Sequence, residues 1–102
     1  MTTLNDPRIA DLYRSANNHN GTQIQVDMAI WQMCYLTKAL LKHRQHATQT
    51  REHLVIDAIA EVQMIIDQLK IRYCQPGEFA ATIKEKQERL AESLGVDLRE
   101  AQ

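Results

Sequence analysis

The chain has 102 residues, of which 44% are hydrophobic and 25% charged, and its formal net charge is −1 at pH 7. This length predicts one domain, residues 1–102. The balanced charge gives no strong nucleic-acid signal and favours no anionic membrane, and no apolar run reaches the roughly 18 residues of a transmembrane helix. The N-terminus shows no basic segment followed by an apolar block, so we expect a cytoplasmic protein.

The residue pattern predicts helices and no strands. The predicted helices span residues 6–16, 22–45, 50–73 and 76–94, with a polar loop over 17–21 and a frayed tail over 96–102. Asp6 and Pro7 have the chemistry of an N-cap and a first helical residue. Thr22 and Gln25 fit a capping box at the start of the second helix, and Gly95 fits a helix stop.

The second and third predicted helices are apolar around most of their circumference. A helix of this kind has to be covered on several sides. The short connection between them predicts antiparallel neighbours in an all-α bundle of about four helices. Because two flanking helices are too few to cover both, we expect a homo-oligomer, either a dimer or a dimer of dimers. The alternative is a compact monomeric bundle.

Three segments resemble a known family. They are MAIWQMCYLTKALLK (28–42), DAIAEVQMIIDQLKIRY (57–73) and EKQERLAESL (85–94). Their order, spacing and QLKI and EKxxRL phrases resemble the small MazG-type nucleoside triphosphate pyrophosphohydrolases, over about two-thirds of the chain. This all-α superfamily is common in phages and mobile elements, so the resemblance implies a helical bundle and a mobile-element setting.

The resemblance also implies the position of a metal site. In the family, a Glu-Glu-x-x-Glu cluster and a Glu-x-x-Asp pair bind Mg²⁺ ions, which hold the triphosphate and activate water. At the five corresponding positions this chain has Trp31, Gln32, Tyr35, Ala58 and Glu61. Only Glu61 is acidic, and Asp57 matches a common extra acid of the family. We interpret Asp57 and Glu61 as the remnant of a metal site, with too little negative charge for a dication cluster.

Other interpretations of these residues stay open. Asp27 could join Asp57 and Glu61 in a shifted site, or the last two could form ion pairs. Lys38, Lys42 and Arg51 form a basic patch that could meet a nucleotide phosphate or an acidic partner, or could be a solvated helix end. Trp31 and Tyr35, four residues apart, could stack on a base, form a protein-binding hot spot or pack in a core.

Three functions follow from these observations. The first is a non-catalytic MazG-like bundle that binds a protein, or a nucleotide without hydrolysing it. The second is a Mg²⁺-dependent (d)NTP pyrophosphohydrolase with a site rebuilt around Asp57 and Glu61; Mg²⁺ is expected as a cofactor only in this case. The third is an unrelated small helical regulator or phage interaction module.

Overall fold

The computed structural model describes the backbone of residues 6–101 and the side chains of residues 6–99. The described elements are α1 (Pro7–Gln45), α2 (Gln49–Tyr73), α3 (Glu78–Leu94) and a short 3₁₀ helix (Leu98–Ala101). No strand occurs in this part of the chain, which confirms the all-α prediction. None of the described helices combines the length and apolarity needed to cross a membrane. The chain divides after Arg72 into two compact units, described in turn.

Helix α1 begins where the sequence predicts and is broken at one residue. The Arg8 backbone N–H donates to Oδ1 of the N-cap residue Asp6 over 2.9 Å. The helix continues through residues 17–20, so the predicted polar loop is wrong there. Only Gly21 leaves helical geometry, with φ 75° and ψ 166°. Side chains other than glycine essentially never adopt this backbone region, and Gly21 therefore divides α1 into two segments, 7–20 and 22–45.

A tight connection joins α1 to α2. Arg51 Nη1 donates to the Lys42 carbonyl over 2.7 Å and to the His46 carbonyl over 3.3 Å. The Arg51 backbone N–H donates to Thr48 Oγ1 over 3.1 Å. Arg51 therefore adds a second donor to the Lys42 carbonyl, which already accepts from the His46 backbone N–H, and it holds the start of α2 beside the end of α1. The two helices form an antiparallel hairpin.

The core between α1 and α2 is narrow because small side chains occupy it. Ala29, Ala39 and Ala58 are buried, and Val62 and Ile65 continue the α2 strip. Many large apolar side chains of the hairpin point outward instead. They are Ile24, Met28, Ile30, Trp31, Met33, Leu40, Leu41, Leu54, Ile56, Ile59, Met64 and Ile66, each at least 36% exposed. The hairpin thus covers one strip of each helix and leaves apolar residues on both of its flanks.

The second unit contains α3 and the 3₁₀ helix. α3 begins at Glu78, two residues later than predicted, after the N-cap Gly77. It ends at Leu94 and is followed by Gly95, whose positive φ of 71° confirms the predicted glycine stop. An i,i+4 ion pair joins Glu85 and Arg89 on the surface of α3. Residues 98–101 of the tail predicted to be frayed are helical; residue 102 lies outside the described residues.

Candidate functional site

Two contacts at opposite ends of the hairpin fix its register. Gln25 Nε2 donates to Gln68 Oε1 over 2.8 Å, and Arg51 reaches the Lys42 carbonyl at the other end. Counting ten residues inward from both Gln25 and Gln68 places Tyr35 level with Ala58. The predicted site residues of the two helices are therefore brought to the same height.

One side of the hairpin carries most of the predicted site residues. On α1 the exposed or half-buried residues Met28, Trp31, Tyr35, Lys38 and Lys42 follow at alternating steps of three and four. On α2 the exposed residues Leu54, Asp57, Glu61 and Met64 do the same. This spacing places each set along one helix face. A cavity of about 70 Å³ lined by Tyr35, Lys38, Ala39, Lys42 and Leu54 joins the two strips. We call this surface the Trp31 face.

Two aromatic rings lie at the middle of the Trp31 face. The Trp31 and Tyr35 ring centroids are 6.0 Å apart with an interplanar angle of 24°, which is a stacked arrangement. Trp31 is nevertheless 63% exposed, while Tyr35 is half-buried. The pair is thus preorganised on the surface of the chain and does not fill the core between α1 and α2.

The two acids beside these rings, Asp57 and Glu61, are not part of a larger carboxylate cluster among the described residues. Asp57 and Glu61 are both exposed. Within the described part of the chain, no group of three or more His, Cys, Asp or Glu side chains is placed to hold a metal ion, so Asp27 is not brought to them. At their height α1 presents Trp31 and Tyr35 instead of further carboxylates. The residues present therefore do not fit the Mg²⁺ cluster that the family resemblance implies.

The other predicted site residues lie in or beside the helix contact, or at its edge. Ala58 is fully buried, with 0% exposure, so no space between the helices remains open at this position. Gln32 is half-buried beside the core strip. Of the three basic residues predicted as binding groups, Arg51 is used by the helix connection. Lys38 and Lys42 remain exposed at the edge of the small cavity.

A buried polar cluster lies at the open end of the hairpin, where the sequence reasoning missed it. Gln25 has 0% exposure and accepts a 2.8 Å hydrogen bond from Arg72 Nε on its Oε1 atom. Its amide nitrogen donates to Gln68, and Arg72 occupies the oxygen that the predicted capping box would have offered to the Thr22 backbone N–H. Asn17 Nδ2 donates to the Gln68 backbone carbonyl over 3.1 Å. These contacts join residues that are more than forty positions apart in sequence.

Arg72 connects this cluster to the break in α1. Its Nη1 donates to Thr22 Oγ1 and its Nη2 to the Asn17 carbonyl, each over 2.7 Å. The break at Gly21 removes helical partners from carbonyls at the end of the 7–20 segment, and the guanidinium replaces one of them. One signal could have located the cluster, because Gln25 falls on the same three- and four-residue spacing as the buried Ala29 and Ala39.

Asp67, another acid of α2, is buried and paired with neighbouring side chains. It is 1% exposed, and its Oδ1 accepts a hydrogen bond from Gln63 over 3.1 Å. Lys70 Nζ lies 3.5 Å from the same atom. Buried charges are tolerated when they are paired and hydrogen-bonded, and both conditions hold here. Asp67 therefore has a structural role, in contacts between side chains of α2.

The second unit holds a larger cavity of about 720 Å³, between α3 and the 3₁₀ helix. Its charged lining residues have mixed signs, with positive Lys84 and Arg99 and negative Glu88, Glu92 and Asp97. None of the predicted site residues lines it, so size alone does not make it the functional site.

Comparison with known proteins gives no relative. No protein-family model, no characterised protein and no solved structure matches this chain.

Proposed function

We propose that this chain is a non-catalytic, MazG-like helical protein that acts by binding, and that it does so as a homo-oligomer. The proposal keeps the family resemblance as a source for the helical framework. It assigns the Trp31 face to molecular recognition instead of hydrolysis.

The observation that carries the proposal is the arrangement around Ala58. The Mg²⁺ site that the family resemblance implies takes carboxylates from two neighbouring helices. Here Ala58 is fully buried, and the helix opposite it presents the stacked rings of Trp31 and Tyr35. A large exposed aromatic pair is typical of a binding hot spot, since Trp and Tyr supply large contact areas with few rotatable bonds.

The exposed apolar residues support a partner. Soluble monomers rarely leave contiguous apolar patches larger than a few hundred Å² uncovered. The hairpin exposes large apolar side chains on both flanks of its narrow core. Because these side chains are already partly buried, covering the rest of each one stabilises an assembly by about 1 kcal/mol before the costs of association. A surface of this kind favours association of α1 and α2 with further helices.

A hydrolysis assay tests the proposal. The protein is incubated with a mixed pool of NTPs and dNTPs and either Mg²⁺ or Mn²⁺, and pyrophosphate release is measured. We expect no release above a protein-free control. Pyrophosphate release that disappears in the Glu61→Ala variant, and persists in a Glu52→Ala control on another face of α2, would instead establish an enzyme with a rebuilt site.

A further inference from the structure

The break in α1 coincides with a reactive pair of residues. Asn20 is followed directly by Gly21, and this is the only Asn-Gly pair in the sequence. An asparagine side chain can react with the backbone nitrogen of the next residue, and glycine favours this reaction because it has no Cβ to obstruct the approach. The pair at the break is therefore chemically capable of modifying the chain itself.

We infer that Asn20 is a site of self-modification, at which the folded chain converts asparagine into a mixture of aspartate and isoaspartate. The Gly21 backbone nitrogen gives its proton to solvent hydroxide and attacks Asn20 Cγ. A bond forms between this nitrogen and Cγ, the Cγ–Nδ2 bond breaks, and Nδ2 takes up a proton and leaves as ammonia. The product of this step is a five-membered succinimide ring.

Water then opens the ring at one of its two carbonyl carbons. Opening at Cγ restores the original backbone and gives aspartate. Opening at the Asn20 backbone carbonyl leaves the chain running through Cβ and Cγ and gives isoaspartate. One water is consumed and one ammonia is released in each conversion, so no oxidant or reductant is required. Either product carries a negative charge where the original side chain was neutral.

The backbone at this position supports ring closure. The Asn20 carbonyl group has to turn out of helical geometry before the Gly21 nitrogen reaches Cγ, and in a helix interior the hydrogen bonds on both sides resist that turn. Here Gly21 already lies outside helical geometry, with φ 75° and ψ 166°. Asn20 therefore ends the 7–20 segment, where a helix leaves carbonyls without helical partners. The turn breaks fewer hydrogen bonds there than it would elsewhere in α1.

Exposure distinguishes Asn20 from the neighbouring asparagines. Gly21 is exposed and Asn20 is half-buried. Apart from the adjoining residues, no part of the described chain lies within 4 Å of the position that a Cβ on Gly21 would occupy, so hydroxide and water have access. Asn17 is only 7% exposed, and its Nδ2 donates to the Gln68 carbonyl. Asn18 is exposed, but it lies within the helical segment and is followed by histidine.

Conversion to isoaspartate changes the structure at the Arg72 contact. Arg72 spans the break, with Nη2 donating to the Asn17 carbonyl and Nη1 to Thr22 Oγ1, each over 2.7 Å. Isoaspartate adds one main-chain atom between these two acceptors, so one guanidinium no longer fits both at their present distances. The conversion therefore acts as a slow, one-way change that loosens the 7–20 segment from the rest of the hairpin.

Peptide mass spectrometry of the aged protein tests the inference. The folded chain is incubated at neutral pH beside a sample unfolded in guanidinium chloride, and conversion adds one dalton to the peptide that contains Asn20. We expect the folded chain to convert within about tenfold of the unfolded rate, because local opening at the break costs little free energy. Enzymatic methylation identifies the isoaspartate product. Asn20→Gln should show no gain, because glutamine would have to close a larger ring.

A second Asn-Gly pair inside a continuous helix provides the matched control. Lys86→Asn/Gln87→Gly creates this pair at exposed positions in the middle of α3, and circular dichroism verifies that the variant is helical. In the folded variant the new pair should convert at least about tenfold more slowly than Asn20 of the same molecule, whereas in guanidinium chloride the two should convert alike. Equal rates in the folded variant, or no gain at Asn20 while the unfolded sample converts, would overturn the inference.

Hydrogen exchange measures the structural effect of the conversion. The isoaspartate form is separated from the unmodified chain by chromatography. The backbone amides of residues 7–20 should exchange at least about threefold faster in the isoaspartate form, while those of residues 50–60 in α2 should exchange at the same rate in both. Equal exchange over residues 7–20 would show that the conversion does not loosen this segment, and would overturn its proposed effect on the Arg72 contact.

Discussion

The guanidinium of Arg72 donates a hydrogen bond to the backbone carbonyl of Asn17, 2.7 Å away, across the break that Gly21 makes in α1. The same side chain also reaches Gln25 and Thr22 on the other side of the break. One residue of α2 therefore holds both segments of α1 in place. These hydrogen bonds stabilise the break as a defined part of the hairpin.

The first prediction concerns this contact. Arg72→Ala should lower the free energy of unfolding by about 2–3 kcal/mol, because hydrogen bonds to charged groups are worth about 1.5–3 kcal/mol each and are not additive. Urea unfolding followed by circular dichroism measures the change. The control Arg44→Ala removes an exposed arginine of the same helical hairpin and should cost less than about 0.5 kcal/mol. Equal losses in both variants would mean that the cluster contributes no specific stability.

The second prediction concerns Gly21. Gly21→Ala should destabilise the chain by about 1–3 kcal/mol, because its backbone region excludes a Cβ even though no atom lies within 4 Å of the position where that Cβ would be. Gly95→Ala, at a left-handed helical stop with φ 71°, should cost only about 1 kcal/mol. Urea unfolding of the two variants side by side tests the order. A smaller loss of stability in Gly21→Ala than in Gly95→Ala would contradict this order.

The third prediction concerns Ala58, where the family resemblance implies a metal ligand. Ala58→Glu should cost about 3 kcal/mol or more, since it places an unpaired carboxylate and extra volume in a closed core. Ala60→Glu makes the same chemical change at an exposed position of α2 and should stay within about 0.5 kcal/mol. Thermal unfolding compares them. Neither variant should release pyrophosphate from dNTPs, and similar stability of both would contradict the closed core.

The fourth prediction uses Trp31, the only tryptophan of the chain, as a probe. Because Trp31 is 63% exposed on the isolated hairpin, its fluorescence emission should shift to longer wavelength as the protein is diluted and the proposed homo-oligomer dissociates. Emission that is independent of concentration, together with a constant sedimentation coefficient, would argue against burial of Trp31 by a second copy.

The fifth prediction is a pH effect at the start of α1. The side-chain and backbone hydrogen bonds from Arg8 hold the pKa of Asp6 below its ordinary value of 3.8. A depressed pKa means that the ionised form stabilises the folded state, so the contribution is present above pH 3.8 and disappears as the pH falls through the lower folded-state pKa. An NMR titration of the Arg8 amide should show this transition. Asp6→Asn retains a good N-cap and should abolish the transition, whereas an unchanged titration would assign it to another group.

The structure agrees with some of the sequence predictions and differs from others, and the reasons are physical. The start of α1 at Asp6 and the stop of α3 at Gly95 were predictable, because capping chemistry depends on residues within one helical turn. The segment 17–20 was not. Its polar residues are typical of a loop, but the contacts of Asn17 with Gln68 and Arg72 hold it in a helix. The loop preference of these residues is outweighed by contacts with α2, which lies more than forty residues away in sequence.

The candidate site shows the same division. The three- and four-residue spacings of Trp31, Tyr35, Asp57 and Glu61 were readable from the chain, and so was the scarcity of carboxylates at the positions that the family resemblance implies. The burial of Ala58 and the exposure of Trp31 were not, since both depend on which strip of each helix meets the other. Arg51 illustrates the point, because a residue expected to bind a phosphate instead caps a helix end.

The sequence by itself determined that the chain is helical, where α1 begins and α3 ends, and that its central helices carry more apolar surface than they can cover. These properties depend on local backbone chemistry and on composition along a helix face. Only the tertiary structure decided that small residues form the hairpin core, that Arg72 spans the break at Gly21, and that Trp31 faces outward. Those features depend on the register between α1 and α2, which side-chain contacts across more than forty residues fix.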